Sequence, residues 1–256
     1  MYRENPIAYI KDKSPIKLIA FLGSLKRLRF KKAALSLAHV RTPYDYYLLL
    51  AQERFDEEIA PVIAQEKSLF VHIPKTAGTS IHVSLYGVDK WVHFKAQTYR
   101  DLLGEAFLDA CFKFCFVRDP YDRLLSAYTY FARGGWSGAS ALGKDLKRNY
   151  PTFEAFVLDW LTEENVYRCR ELHFLPQTVF VYDEHQRLLV DFVGRFESIR
   201  EDFERLARRL GKEVTLPHLN KSSSHESCMQ HYNSAMIDRV NAIYRTDFEA
   251  FDYPRF

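Results

Sequence analysis

Residues 68–80, with the sequence SLFVHIPKTAGTS, carry the pattern that decides the fold. The branched and aromatic side chains of Ser68 to Ile73 predict a short strand, which Pro74 and Gly78 bring to an end. Thr79 to Tyr86 then predicts a helix. This order of strand, tight loop and helix places the loop at the carboxyl end of a strand, which is where α/β sheets bind ligands.

A second unit of the same kind follows. Residues 111–117 (CFKFCFV) predict a strand, Asp119 is an expected N-cap, and Pro120 suits the first helical position. The helix should run to about Ala132. The glycine-rich stretch after it predicts a loop over residues 134–149, which is long enough to be a functional lid.

The rest of the chain continues to mix helices and strands. The expected elements are a helix over Phe153–Leu161, strands over Thr178–Tyr182 and Leu188–Val193, a helix from the capping box Ser198–Glu201 to Gly211, and a last helix over Ala235–Tyr244. Alternating strands and helices indicate an α/β domain with a mainly parallel sheet.

Composition and charge narrow the class of protein. The 256 residues carry a net charge of only +3, and 47% of them are hydrophobic, which excludes a disordered chain. Four cysteines without a C-x-x-C pair give neither a disulfide framework nor a zinc site. No apolar run reaches membrane-spanning length, and no signal peptide is recognisable, so the expected location is the cytoplasm.

The charge is concentrated in one segment. Residues 11–41 hold nine basic side chains and one acidic side chain, a balance of +8, so residues 42–256 carry −5. Leucine and isoleucine alternate with these charges as in an amphipathic helix. Such a segment could lie on an anionic membrane or polymer, or dock on its own domain with a solvated basic face.

Two loops have the chemistry of anion sites. Lys75, Gly78 and neighbouring hydroxyls at a helix start offer N–H groups and positive charge to a phosphate, and the G-x-x-x-x-G-K pattern of nucleoside-triphosphate loops is absent. Arg118 follows the second strand, and Ser126 shares a helix face with Asp122, an arrangement that suits a phosphate monoester. The alternatives are an ordinary strand–helix turn and an Arg118 that pairs with a neighbouring aspartate.

The two motifs together resemble a known family. Residues 74–80 (PKTAGTS) and the pattern R-D-P-Y-x-R-x-x-S-x-Y over residues 118–128 are similar to the two cofactor motifs of the carbohydrate (family 2) sulfotransferases. The similarity continues through residues 193–199 and 219–223 to residue 253, so it covers residues 68–256 and leaves residues 1–67 as a basic, helical extension. It implies a P-loop-like, three-layer α/β domain with a central sheet flanked by helices, and 3′-phosphoadenosine 5′-phosphosulfate as the donor.

The resemblance also implies roles for individual residues. The loop would bind the 5′-phosphosulfate, and Lys75 would neutralise the departing phosphate. Arg118 and Ser126 would bind the 3′-phosphate, and a later loop would close over the nucleotide. The donor-binding residues implied in this way are Lys75, Thr76, Ala77, Gly78, Thr79, Ser80, Arg118, Ser126, Asn220, Lys221 and Ser222. Arg195 and Glu197 match a further motif, for which we expect a structural role.

An acceptor hydroxyl must lose its proton as it attacks sulfur, so the reaction needs a base. His93 resembles the general-base histidine of the family, although Val92 stands where the family usually has glycine. His72 and His82 are the competing candidates, and both are expected to be packed or surface histidines.

The resulting hypothesis is in-line transfer of a sulfuryl group to a hydroxyl on a glycan or glycolipid, with His93 and Lys75 as catalytic residues and no metal. Neither a nucleic-acid partner nor a particular oligomeric state is expected. The rival functions are a P-loop kinase-like phosphotransferase and a non-catalytic nucleotide-binding scaffold. The aromatic and glycine-rich stretch from Tyr128 to Trp136, together with Arg133 and Lys144, is expected to shape the acceptor cleft.

Overall fold

The computed structural model describes residue 51 and residues 54–134, 141–168, 172–216 and 228–256. Its strands are β1 (Ser68–Phe70), β2 (Phe112–Val117) and β3 (Phe192–Arg195). They form a parallel sheet in the order β1-β2-β3, in which Leu69 lies opposite Lys113 and Cys115 lies opposite Val193. The predicted α/β class with a parallel sheet is confirmed.

Helices flank this sheet. In chain order they are a π-helical turn (Phe55–Ile59), α1 (Ala60–Glu66), α2 (Gly78–Tyr86), α3 (Ala96–Leu103), α4 (Glu105–Asp109), α5 (Pro120–Ala132), α6 (Ala141–Asn149), α7 (Phe153–Ala155) with a π-helical continuation (Phe156–Trp160), α8 (Glu163–Arg168), a 3₁₀ turn (Leu172–Phe174), α9 (Thr178–Val181), α10 (Ile199–Arg209), α11 (Ser234–Ile243) and α12 (Arg245–Phe251). No helix in the described ranges combines the length and apolarity needed to cross a bilayer.

The core is rich in aromatic rings. Phe70, Phe114 and Phe116 on the sheet are completely buried, and the rings of Phe70 and Phe114 stack at 5.2 Å between centroids. The segment before β1 adds to this core, because Phe55 contacts the rings of Phe94 and Tyr99. Such packing holds the carboxyl ends of β1 and β2 side by side, and the two anion loops emerge there.

Two predicted strands are wrong in different ways. Residues 178–182 were expected to be extended, but they contain α9, because the buried carboxylate of Asp247 accepts hydrogen bonds from the backbone N–H of Gln177 and Thr178 at 2.8 and 2.9 Å. The strand expected over residues 188–193 begins only at Phe192, and Leu188 instead forms an isolated antiparallel bridge with Tyr182. In both cases a partner distant in sequence or a neighbouring turn overrides local β propensity.

Three further expectations need correction. The expected loop over residues 134–149 contains α6, so a long lid does not extend to Asn149. The capping box at Ser198 does not form, because the Ser198 hydroxyl donates to the Asp202 carboxylate at 3.0 Å and makes no side-chain cap. No element was predicted after the helix over residues 235–244, but α12 occupies much of that segment.

Candidate active site

The loop between β1 and α2 has an unusual backbone. Lys75 and Ala77 both have left-handed φ angles, of 71° and 62°, which non-glycine residues rarely adopt. The buried Thr76 hydroxyl between them donates to the carbonyl of Ile73 at 2.9 Å and closes the turn. Turns of this kind direct successive N–H groups toward one point and form an anion-binding concavity.

Helix α2 begins without a side-chain cap. Its N-cap residue is Ala77, which offers no oxygen to the first-turn N–H groups. The orphan donors and the positive end of the helix dipole are therefore available to an anion. Of the two hydroxyl residues in this first turn, Thr79 is exposed and Ser80 is half-buried.

Gly78 is required by a close contact. A Cβ atom at this position would lie 1.9 Å from Nε2 of His72, whose side chain is buried. The loop thus lies directly on the imidazole of His72. Burial and the neighbouring imidazoles lower the pKa of His72 well below 6.5, so this ring is neutral.

Lys75 extends its side chain along an aromatic ring. Its Nζ lies 4.5 Å from the centroid of the Tyr130 ring, on α5. Burial, followed by the nearby charge of Arg118, lowers the pKa of Lys75 to about 8, so the amine remains a cation at neutral pH. A cation on the loop that leads into an uncapped helix is suited to a phosphate that gains negative charge.

Arg118 pairs with a neighbouring aspartate, which was the expected alternative to phosphate binding. Its Nε and Nη2 both donate to Oδ2 of Asp122, at 2.8 and 2.7 Å, and its guanidinium stacks on Phe196 at 4.0 Å. Nη1 donates to the carbonyl of Lys75 at 3.2 Å and so joins the two loops. Five N–H donors leave this fork further capacity for an anion. Ser126 is half-buried one turn beyond Asp122.

Asp119 is the N-cap of α5, as predicted. Its carboxylate accepts from the backbone N–H of Tyr121 and Asp122 at 2.9 and 3.1 Å. Its own N–H donates to Glu197 at 2.7 Å, and Glu197 also accepts from the hydroxyl of Tyr253. Glu197 therefore fastens the second loop to the end of the chain.

Arg195 contacts the same end of the chain. Its guanidinium lies 4.6 Å from the ring of Tyr253 and donates to the carbonyl of Phe251. These contacts support the structural role expected for the motif that contains Arg195.

His93 is held in one tautomer. Its Nδ1 lies 2.9 Å from the carbonyl oxygen of His72, and because a carbonyl only accepts, Nδ1 carries the proton. In the neutral ring, Nε2 is therefore the basic atom. Burial, the largest influence, lowers the pKa of His93 to about 4. The competitor His82 has its Nδ1 2.5 Å from the carbonyl of Val88 and is fully packed.

Sequence reasoning gave no individual role to three residues of the site, which are Arg123, Tyr130 and His173. Arg123 is completely buried and donates to the carbonyls of Pro74 (3.1 Å), His173 (3.1 Å) and Leu175 (2.7 Å). The ring of His173 lies 5.9 Å from that of His93 and stacks on Tyr130 at 5.3 Å. The spacing of Arg123 and Tyr130, seven residues apart on one helix face, was the available signal.

Several predicted residues lie outside the described ranges. These are Asn220, Lys221 and Ser222, and with them the basic segment 11–41. The structure brings Lys75, Arg118 and His93 together at the carboxyl ends of β1 and β2. Within the described ranges, no cluster of three His, Cys, Asp or Glu side chains could hold a metal ion.

Known proteins resemble this chain in sequence. A model of the Sulfotransferase family matches residues 62–254. Carbohydrate sulfotransferase 14 from Homo sapiens is 33% identical over 170 residues, which are 56% of this chain and 42% of that protein. The protein of the same name from Mus musculus is 32% identical over the same shares. This chain thus spans about two fifths of the length of these relatives.

A third match comes from an archaeon. A protein named only as uncharacterized, from Archaeoglobus fulgidus, is 25% identical over 118 residues, which are 45% of this chain and 81% of that protein. No solved structure matches the chain significantly.

Proposed function

The chain belongs to the Sulfotransferase family, and from that premise we propose that it transfers a sulfuryl group from 3′-phosphoadenosine 5′-phosphosulfate to a carbohydrate hydroxyl. The observation that carries the proposal is the hydrogen bond from Arg118 Nη1 to the carbonyl of Lys75. It joins two anion sites of different chemistry at one edge of the sheet. A donor with a 5′-phosphosulfate and a separate 3′-phosphate needs two such sites.

The residues divide the donor between them. The N–H groups of the loop from Lys75 to Ser80 would bind the 5′-phosphosulfate, because α2 begins without a cap. Arg118 and Ser126 would bind the 3′-phosphate at the start of α5. Residues 220–222 would close over the nucleotide, and this assignment stays a prediction because the segment lies outside the described ranges.

The proposed reaction moves one proton and breaks one bond. The acceptor hydroxyl gives its proton to Nε2 of His93 as its oxygen attacks sulfur. The bond between sulfur and the phosphate oxygen breaks, and its electron pair leaves with the phosphate. Lys75 and the N–H groups of α2 stabilise the charge that develops there. Because the pKa of His93 is lowered to about 4, its ring is unprotonated at neutral pH.

We propose a glycan-type acceptor and a cytoplasmic location for the enzyme. Two relatives are named carbohydrate sulfotransferases, which supports a glycan-type acceptor, on a polysaccharide or a glycolipid. A cytoplasmic enzyme that contacts an anionic membrane through residues 11–41 remains our expectation from the sequence. Exchange of residues 133–149 should change acceptor choice without a change in nucleotide binding.

Calorimetry with four nucleotides tests the donor site. We expect adenosine 3′,5′-bisphosphate to bind roughly 10- to 100-fold more tightly than 5′-AMP, because the 3′-phosphate adds charge-assisted hydrogen bonds. ADP should resemble 5′-AMP. Tighter binding of ADP or ATP with magnesium would instead indicate the kinase-like phosphotransferase.

Transfer of labelled sulfate to a panel of glycans and glycolipids tests the reaction. His93→Gln should bind the bisphosphate normally and lose roughly 10²–10⁴-fold in kcat, as expected for removal of a general base. A variant with full transfer activity would disprove the role of His93. Tight bisphosphate binding with no transfer to any acceptor would favour the non-catalytic scaffold.

A further inference from the structure

The ring of Tyr130 lies between two groups of the candidate site. The ammonium of Lys75 is 4.5 Å from its centroid, and the imidazole of His173 stacks on it at 5.3 Å with an interplanar angle of 15°. His173 in turn lies 5.9 Å from the ring of His93. Contacts between side chains therefore run from the cation proposed to stabilise the leaving group to the proposed base.

We propose that Tyr130 is a positioning residue for Lys75: its ring holds the ammonium at the phosphate loop, and His173 braces the ring by stacking. We call Tyr130 and His173 the ring platform. This inference rests on the proposed function, because the role of Lys75 in the reaction gives the ring platform its effect on catalysis.

The backbone around the ring platform is fixed by one buried side chain. Arg123 donates to the carbonyl of Pro74, beside Lys75, and to the carbonyl of His173. Arg123 lies on α5 two turns before Tyr130, on the same helix face. The loop, the 3₁₀ turn and the helix are thus tied together, and the Lys75 side chain, with its rotatable bonds, is the part that the ring orients.

The charges around Lys75 explain why a ring serves this purpose. Burial, followed by the charge of Arg118, lowers the pKa of Lys75 to about 8, and the charge of Lys75 in turn helps to lower the pKa of His173. No carboxylate in the described ranges forms an ion pair with Lys75. The face of an aromatic ring attracts a cation without neutralising it. An incoming phosphate therefore meets an ammonium that has no ion pair to break.

A pair of substitutions separates the ring from the hydroxyl. Tyr130→Phe keeps the aromatic face, and we expect its kcat/KM to stay within about threefold of that of the unaltered protein. Tyr130→Leu removes the face, and kcat/KM should fall roughly tenfold or more. Tyr182→Leu is the matched control, because Tyr182 is half-buried like Tyr130 but packs against Phe251 and has no part in the candidate site.

The titration of Lys75 is the decisive measurement. It can be followed by NMR with isotope-labelled lysine, assigned with a Lys75→Arg variant. Loss of the ring should destabilise the charged amine, so Tyr130→Leu should lower the pKa of Lys75 by roughly half a unit to one unit. The alkaline limb of kcat/KM should shift to lower pH by the same amount. Tyr130→Phe and Tyr182→Leu should leave both unchanged.

The outcomes distinguish this inference from the proposed function. An unchanged Lys75 titration in Tyr130→Leu would overturn the inference, as would a loss of activity matched by Tyr182→Leu at equal thermal destabilisation. If the unaltered protein binds no adenosine 3′,5′-bisphosphate and transfers no sulfate, the proposed function fails. The lysine titration needs no turnover and would still show whether the ring holds the ammonium.

Discussion

The two strand–loop–helix units of the sheet have the same topology but opposite helix starts. Helix α2 begins at a left-handed Ala77 without a side-chain cap, so its N–H groups are free to meet an anion. Helix α5 begins at Asp119, whose carboxylate already occupies the first N–H groups. The first unit therefore offers backbone to a phosphate, and the second offers only the side chains of Arg118 and Ser126.

This difference indicates how one fold can separate two phosphate groups. A backbone concavity accepts any tetrahedral anion, whereas an arginine fork at a defined position adds selectivity. In the proposed assignment, the first unit binds the phosphosulfate that reacts. The second unit binds the 3′-phosphate, which distinguishes the donor from other adenine nucleotides. Substitutions in the first unit should thus affect catalysis. Substitutions in the second unit should affect the preference for nucleotides that carry a 3′-phosphate.

The largest effect should follow loss of the cation in the first unit. Lys75→Met should lower kcat roughly 10²–10³-fold, because one donor to the charge developing in the transition state is lost. Steady-state transfer kinetics measure this effect, with the exposed Lys90 as the control in a Lys90→Met variant. An equal loss in both variants would show that general charge, and not position, is responsible.

Removal of the Arg118 guanidinium in the second unit should abolish the preference for nucleotides with a 3′-phosphate. Arg118→Met should reduce the preference for adenosine 3′,5′-bisphosphate over 5′-AMP by roughly 10- to 100-fold, as measured by calorimetry. It also removes the guanidinium that pairs with the buried carboxylate of Asp122, which should lower the melting temperature. The double variant Arg118→Met, Asp122→Asn should recover stability but not discrimination. Recovered discrimination would contradict the role of Arg118.

The first unit should not tolerate a methyl group at its helix start. Gly78→Ala would force a Cβ onto the buried His72, so we expect a loss of about 1–3 kcal/mol in the free energy of unfolding. Gly87→Ala is the control, since no atom lies within 4 Å of that Cβ and only its positive φ of 67° resists the change. Denaturant titrations compare the two. A smaller loss at Gly78 than at Gly87 would refute the close-contact argument.

The smallest change in unfolding free energy should follow substitutions at the N-cap positions of the two helices. Asp119→Ala should cost about 0.5–2 kcal/mol of unfolding free energy, and Asp119→Ser should restore most of it. The corresponding change in the first unit, Ala77→Gly, removes no cap and relieves a left-handed backbone, so its cost should be close to zero or negative. Thermal unfolding measures both. Equal destabilisation at the two positions would mean that the helix starts do not differ as described.

Local sequence signals predicted the two units well, because their strands, Asp119 cap and helix bounds depend on neighbouring residues. The signals failed where a partner is distant. Residues 178–182 look like a strand, yet Asp247, about 70 residues later, caps a helix there. His173 was missed for the same reason, since only the fold brings its turn to Tyr130 and His93. The pairing of Arg118 with Asp122 was foreseen as an alternative, but spacing alone did not decide between it and phosphate binding.

Three imidazoles near the loop between β1 and α2 make the free energy of unfolding depend on pH. His72, His93 and His173 have pKa values lowered by burial, to about 4 for His93. Once the pH falls below about 6.5, the unfolded chain binds protons that the folded chain excludes, so each such ring lowers the unfolding free energy by up to about 1.4 kcal/mol per pH unit. For His93 this loss continues down to a pH of about 4. His72, which contacts the loop at Gly78, and the two imidazoles packed behind it thus set an acid limit to the stability of the fold.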